Sequence, residues 1–230
     1  MQKKIIAVNG CSSTEEWHLE TEQRWSNIIG CDVNLAHGGA SNDRIFTTTI
    51  EYLNQYTPDV LIVGWSSLTR GMSSTSRGTR VIINTPKAFD EENGKELPDF
   101  HKFFYSNICN QFYNFTNTLN QMIHLQEYCK AKNIKLLYWN TLLPGIGKTS
   151  LEEIAGEAFM SRENKDIVRM GIKHNRTILE NLISKLDQSI WIKKFWYGMR
   201  DHCQGYDRID DGHFGHEASA HWANLVKEHL

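Results

Sequence analysis

Apolar runs bounded by turn signals alternate along this chain with longer stretches whose apolar positions recur at helical spacing. That alternation predicts a parallel sheet with helices on both faces, an α/β domain of three layers. Strands are expected near 4–9, 32–36, 59–64 and 134–139. The run Asp59-Val60-Leu61-Ile62-Val63-Gly64 is the clearest, because it follows Pro58, is β-branched and lacks the polar alternation of a strand with one wet face. Residues 14–28, 41–56 and about 104–132 carry helical spacing, with Ile45, Thr49, Tyr52 and Leu53 as one stripe. A fourth helix covers about 163–186, with Ile167, Met170, Ile178, Leu179, Leu182, Ile183 and Leu186 inward, and a last one runs from about 216 to 229. A fifth strand at Ile190-Trp191-Ile192 is short, and 193–209 is aromatic and charged without a clear period.

Two stretches exceed what a minimal layered domain needs: about 66–103, rich in Ser, Thr, Arg and Gly, and about 141–162. Both follow strand C-termini, the edge where open α/β sheets bind ligands, so they are expected to wall and cover a cleft. The plainer alternative is an ordinary surface insertion.

At 230 residues the chain fits one domain, 1–230, large enough to bury roughly 70% of its unfolded surface. A formal charge of -2 with both signs interleaved gives no field to gather nucleic acid or an anionic membrane. The apolar run after Lys3 and Lys4 ends at Asn9-Gly10, too soon for a secretory signal, and no stretch approaches the length that spans a bilayer. Five cysteines, at 11, 31, 109, 129 and 203, form no CxxC pair and suit reduced thiols. A soluble, cytoplasmic protein is expected, in which the sequons at Asn114 and Asn175 carry no glycan.

The chemistry concentrates at the two ends. Asp210-Asp211-Gly212-His213 delivers a carboxylate and an imidazole just before the last helix, and Asn9-Gly10-Cys11-Ser12 puts a hydroxyl where the first strand gives way to a helix. Serine is a poor nucleophile at neutral pH unless a base lies within reach, a third group orients that base, and donors face the developing oxyanion. Ser12 is the candidate nucleophile, His213 the base and Asp210 its orienting partner, with Asp211 the alternative. A following helix would favour negative charge beside Ser12. Taken singly, Ser12 or Ser13 could simply cap that helix, ahead of Thr14-Glu15-Glu16.

Four short blocks in order resemble the SGNH (GDSL-like) hydrolase family: Gly10-Cys11-Ser12, then Gly39 within 34–42, then Gly64-Trp65-Ser66-Ser67, then Asp210 to His213. The resemblance implies a flavodoxin-like three-layer fold and a serine esterase acting on small acyl or acetyl esters, including acetylated carbohydrates, through an acyl-enzyme. It implies no cofactor and a small-molecule ester as partner. Its oxyanion hole would use backbone N–H of Ser12 and Gly39. The family's third block carries an Asn where this chain has Ser66, a shorter donor whose gap Asn42 could fill. Gly39-Ala40-Ser41-Asn42-Asp43-Arg44-Ile45 with Gly64-Trp65-Ser66 looks most like a branch found in tailed phages of marine bacteria. Trp65 and Arg70, beside the expected cleft, are candidates for binding a sugar ring or an acidic group. The other reading is a binding protein on the same scaffold, for a glycan or a protein, including a phage structural or host-interaction role.

Two further motifs are set aside. Gly145-Ile146-Gly147-Lys148-Thr149 ends like a phosphate loop but has Leu142 where the first Gly is required. His213, His216 and His221 with a neighbouring Asp could suggest a metal, yet His216 and His221 point to different sides of a helix, so no metal is expected.

Overall fold

A computed structural model describes residues 3–67, 70–74, 80–83, 111–140, 177–193, 198–206, 208–209 and 213–230. Within them four parallel strands form one sheet in the order β2-β1-β3-β6. These are β1 (Ile6–Asn9), β2 (Val33–Asn34), β3 (Val60–Trp65) and β6 (Lys135–Asn140); β4 (Gly71–Ser74) and β5 (Arg80–Ile83) pair separately as an antiparallel ribbon. Register runs Ile6 to Val60 and Val60 to Lys135, with Ala7 opposite Val33.

Side chains of successive strand residues enter two different cores, as the period of two requires. One face gives Ala7, Leu61, Val63, Leu136 and Tyr138 to a cluster with α3 (Asn42–Leu53), α4 (Gln111–Ala131) and the helical residues 177–184, α5. The other gives Ile6, Val8, Val60, Ile62, Leu137 and Trp139 to a cluster with α2 (Trp25–Ile28), α6 (Met199–His202) and α7 (His216–Lys227). The protein is thus a three-layer α/β fold with a buried parallel sheet. Among the described residues no helix is long and apolar enough to cross a membrane. Burial pushes the Cys129 and Cys203 thiols up to about 12, which keeps both inert as core side chains.

The sequence expectations need three corrections here. The predicted helix 14–28 is broken: α1 (Ser12–Glu15) makes one turn, Glu16 enters the left-handed region at φ 47°, and a 3-10 turn precedes α2. The reason is tertiary, because the Glu16 side chain turns inward to accept from Trp25 N (2.6 Å) and Ser219 Oγ (3.0 Å), which a continuing helix could not allow. Second, the fifth strand is reduced to isolated parallel bridges, Trp191 with Tyr138 and Gly198 with Asn140, beside a 3-10 turn at Gln188–Ile190. Third, the stretch 66–103 contains the β4–β5 ribbon, whereas 141–162, 104–110, 163–176 and Cys109 lie outside the described residues.

The turn after β1 is packed to its limit. A Cβ on Gly10 would stand 2.1 Å from Thr14 Oγ1 and 3.2 Å from Gly64 O. Gly10→Ala is expected to cost roughly 1–3 kcal/mol, as overpacked sites do, and to displace the segment carrying Ser12. Urea denaturation reads the loss, and Gly10→Ala combined with Thr14→Ala should recover part of it. An unchanged midpoint for the single variant would show that the turn relaxes freely.

Candidate functional site

The order β2-β1-β3 places a topological switch point beside β1, and ligands of open α/β sheets bind in the crevice outside the carboxyl ends at such a point. The segment after β1 carries Ser12, the loop after β2 carries Gly39, and Ser66 directly follows β3. Three of the predicted site residues therefore emerge along one edge.

Hydrogen bonds fix that edge. Thr14 N and Glu15 N both close on Cys11 O (2.9 and 3.0 Å), so Cys11 is the N-cap and Ser12 the first helical residue, whose N–H has no acceptor within the helix. Ser12 is 8% exposed, and its hydroxyl does not cap α1, which removes the plainer explanation for a serine here. One turn of helix carries little dipole, so the electrostatic help expected from α1 is small. The loop after β2 is tied to this turn from several sides: His37 N donates to Gly10 O (3.2 Å), Asn34 Nδ2 to Thr14 O (3.2 Å), and Gly38 N to the Glu15 carboxylate. Gly39 follows at φ 74°, a conformation that favours glycine.

Asn42 and Ser66 are locked together. Asn42 Oδ1 accepts from Ser66 N (2.7 Å), while Nδ2 donates to Ser66 O (3.1 Å) and to Thr118 Oγ1 (3.2 Å), so both amide hydrogens are engaged inside the fold. Arg70 Nη1 donates to Ser66 Oγ (3.0 Å). Since that oxygen accepts from the guanidinium, its own hydrogen points elsewhere. Asn9 anchors the same region, its Nδ2 reaching Ile45 O, Thr48 Oγ1 and Thr49 Oγ1 at 2.8–3.0 Å.

The histidine end comes to the other side of the Ser12 segment. The imidazoles of His213 and His18 pack with centroids 4.9 Å apart, and His18 Nε2 donates to Phe214 O (3.0 Å). The Glu16–Ser219 bond repeats the link one helical turn further along α7. No hydrogen bond joins Ser12 Oγ to His213 in this structure, and Asp210 and Asp211 lie outside the described residues. His221 stacks on His202 (4.4 Å, 7°), and among the described residues no group of three His, Cys, Asp or Glu could hold a metal.

The two tryptophans near the site differ in burial. Trp65, expected at the cleft to bind a sugar ring, has no exposed surface and packs edge-on against Tyr138 in the core (5.5 Å). It alternates with Gly64 at the end of a strand buried on both faces, and its ring falls on the α4 side. Trp17 is 57% exposed, beside His18 (5.9 Å, perpendicular) and the Gly38 position. Glu16 and His18 were not singled out from sequence; no local signal marks them, because their partners are about 200 residues away.

No protein-family model matches the chain, and no curated protein matches it. Among solved structures it is similar to TesA, at 11% identity and TM-score 0.49, covering 98% of this chain and 97% of that one. It is also similar to the acetyl xylan esterase AlAXEase (11%, TM-score 0.45, 98% and 100% covered). A GDSL-like lipase from Bacteroides thetaiotaomicron is a third (13%, TM-score 0.42, 98% and 87% covered). Side-chain roles do not transfer at such identities.

Proposed function

We propose that this protein is a serine ester hydrolase that takes a small acyl or acetyl group, acetylated carbohydrates being one candidate class of ester, onto Ser12 and then to water. The carrying observation is that the segment continuing from Ser12 is bonded and ring-packed to the segment that carries His213. The first and last parts of the chain meet there at the switch-point edge. Acyl transfer needs a serine freed from capping and a histidine base that can reach it, and a link between their two segments supports that reading.

Ser12 Oγ attacks the ester carbonyl while His213 takes its proton, and Asp210 holds the imidazole in the required tautomer, with Asp211 the alternative. His213 then returns the proton to the leaving alkoxide. Water attacks the acyl-enzyme by the same route in reverse. The contact between Ser12 and His213 forms as the ester binds, since catalytic hydrogen bonds commonly tighten in the complex. N–H groups of Ser12 and Gly39 receive the oxyanion, and the Ser66 hydroxyl adds a third donor. Arg70 strengthens it: a hydroxyl that accepts from a cation donates more strongly through its own hydrogen. Asn42 serves by holding Ser66, since a direct bond to the oxyanion would cost it one of its present partners. With Trp65 in the core, Arg70 remains the substrate-binding candidate, suited to an acidic group on the ester. The likeness of 39–45 and 64–66 to a tailed-phage branch extends the proposal to a phage-encoded enzyme.

A non-catalytic glycan- or protein-binding role is favoured by one observation, that Ser66 stands where the family's third block carries an Asn. A fluorophosphonate probe separates the two readings. Labelling of wild type at Ser12 supports the hydrolase, and an intact protein left unlabelled at high probe concentration rejects it.

A further inference from the structure

We infer that His18 is a positioning residue for His213, setting the plane and height of the base relative to Ser12; this rests on the hydrolase reading above. Three independent features lead there. The His18 ring lies against the His213 ring at 4.9 Å with a 36° tilt, close enough to limit how far that imidazole can swing. His18 Nε2 donates to Phe214 O at 3.0 Å, so it also grips the backbone one residue beyond the base. And His18 is only six residues from Ser12, at the far end of a segment that Glu16 pins to α2 and α7 through Trp25 N and Ser219 Oγ.

The chemistry explains why histidine suits this position. A carbonyl can only accept, so Nε2 carries a hydrogen and donates it; Nδ1 is buried and has no hydrogen-bond partner among the described residues. Phenylalanine would offer the ring face without the donor, and glutamine the donor without the ring. The imidazole supplies both at once. Trp17 also lies against the ring, perpendicular at 5.9 Å. A base held by its neighbour's face and by its own backbone is confined in both tilt and translation, and a displacement near 1 Å can cost about 100-fold in rate.

The test uses the full chain with a small aryl ester, beginning with fluorophosphonate labelling of wild type and Ser12→Ala. If wild type is not labelled, the hydrolase reading fails and the role of His18 fails with it. If it is labelled, His18→Phe should lower kcat about 10- to 100-fold with KM within about twofold and the urea midpoint nearly unchanged. His18→Gln, which restores the tether, should recover part of kcat. The pH profile of kcat/KM should also change shape in His18→Phe, which a merely structural side chain would not produce. Wild-type kcat in His18→Phe, or a loss that simply follows the fraction unfolded, overturns the inference while leaving the hydrolase reading standing.

Discussion

Replacing Ser12 by alanine should lower ester hydrolysis about a millionfold while leaving the protein folded, the scale seen when a serine nucleophile is removed from an intact site. The expectation has two halves, and the structure bears on each. Ser12 Oγ caps no helix, the N-cap being Cys11, and Ser12 is the first residue of a one-turn α1, so the substitution deletes one oxygen without removing a helix cap. Stability should change by less than about 1 kcal/mol, as for substitutions that disturb no special feature. Ser13→Ala is the control. Its residue is half-buried on the same turn, its carbonyl accepts from Trp25 Nε1 (2.9 Å), and a side-chain change leaves that bond in place. Ser13→Ala should keep most activity. Initial rates on a short aryl ester, with intact-mass detection of the labelled enzyme, read both variants. Equal rates for Ser12→Ala and wild type would remove the nucleophile and the mechanism together.

The sheet was legible because buried parallel strands are written as continuous apolar runs, and 59–64 reads that way nearly residue for residue against the observed Val60–Trp65. The helices with clear stripes were legible too: 41–56 against Asn42–Leu53 and 216–229 against His216–Lys227. What sequence concealed depends on contacts between distant residues. Glu16 is a good helix former by local preference, yet its carboxyl answers Trp25 N and Ser219 Oγ, and the chain bends to let it. Trp17 and Trp65 have the same side chain; which one is buried follows from β3 being covered on both faces and α1 ending early. That Ser12, Gly39 and Ser66 lie beyond three strand ends was legible, because the strands themselves were. The engagement of Asn42 was not, since it requires knowing that Thr118 on α4 and the Ser66 backbone converge on one amide.

Glu16→Gln should reverse sign in its effect on stability as pH rises, because the buried carboxyl is held mostly protonated. Burial pushes Glu16 from its ordinary 4.5 up to about 8, against smaller opposing effects from the Trp25 N–H, the Ser219 hydroxyl and Arg24. A carboxyl whose folded pKa exceeds its unfolded one takes up a proton on folding between those two values. The native state is therefore favoured below about 4.5 and loses that advantage progressively until about 8, beyond which both states are ionised and the full penalty of burying the charge remains. At about 1.4 kcal/mol per unit, the whole window amounts to several kcal/mol. Glutamine keeps an oxygen to accept from Trp25 N and Ser219 Oγ and never ionises, so the difference in unfolding free energy between the two proteins isolates this one group from all shared titrations. Near pH 5 wild type should equal or exceed the variant; near pH 9 the variant should be the more stable by several kcal/mol. Because Glu16 joins the Ser12 segment to α7, wild-type activity should fade above pH 8 more steeply than the variant's. Urea denaturation of both proteins at several pH values decides it, and a difference that stays constant from pH 5 to pH 9 would mean that the carboxyl titrates as an exposed one.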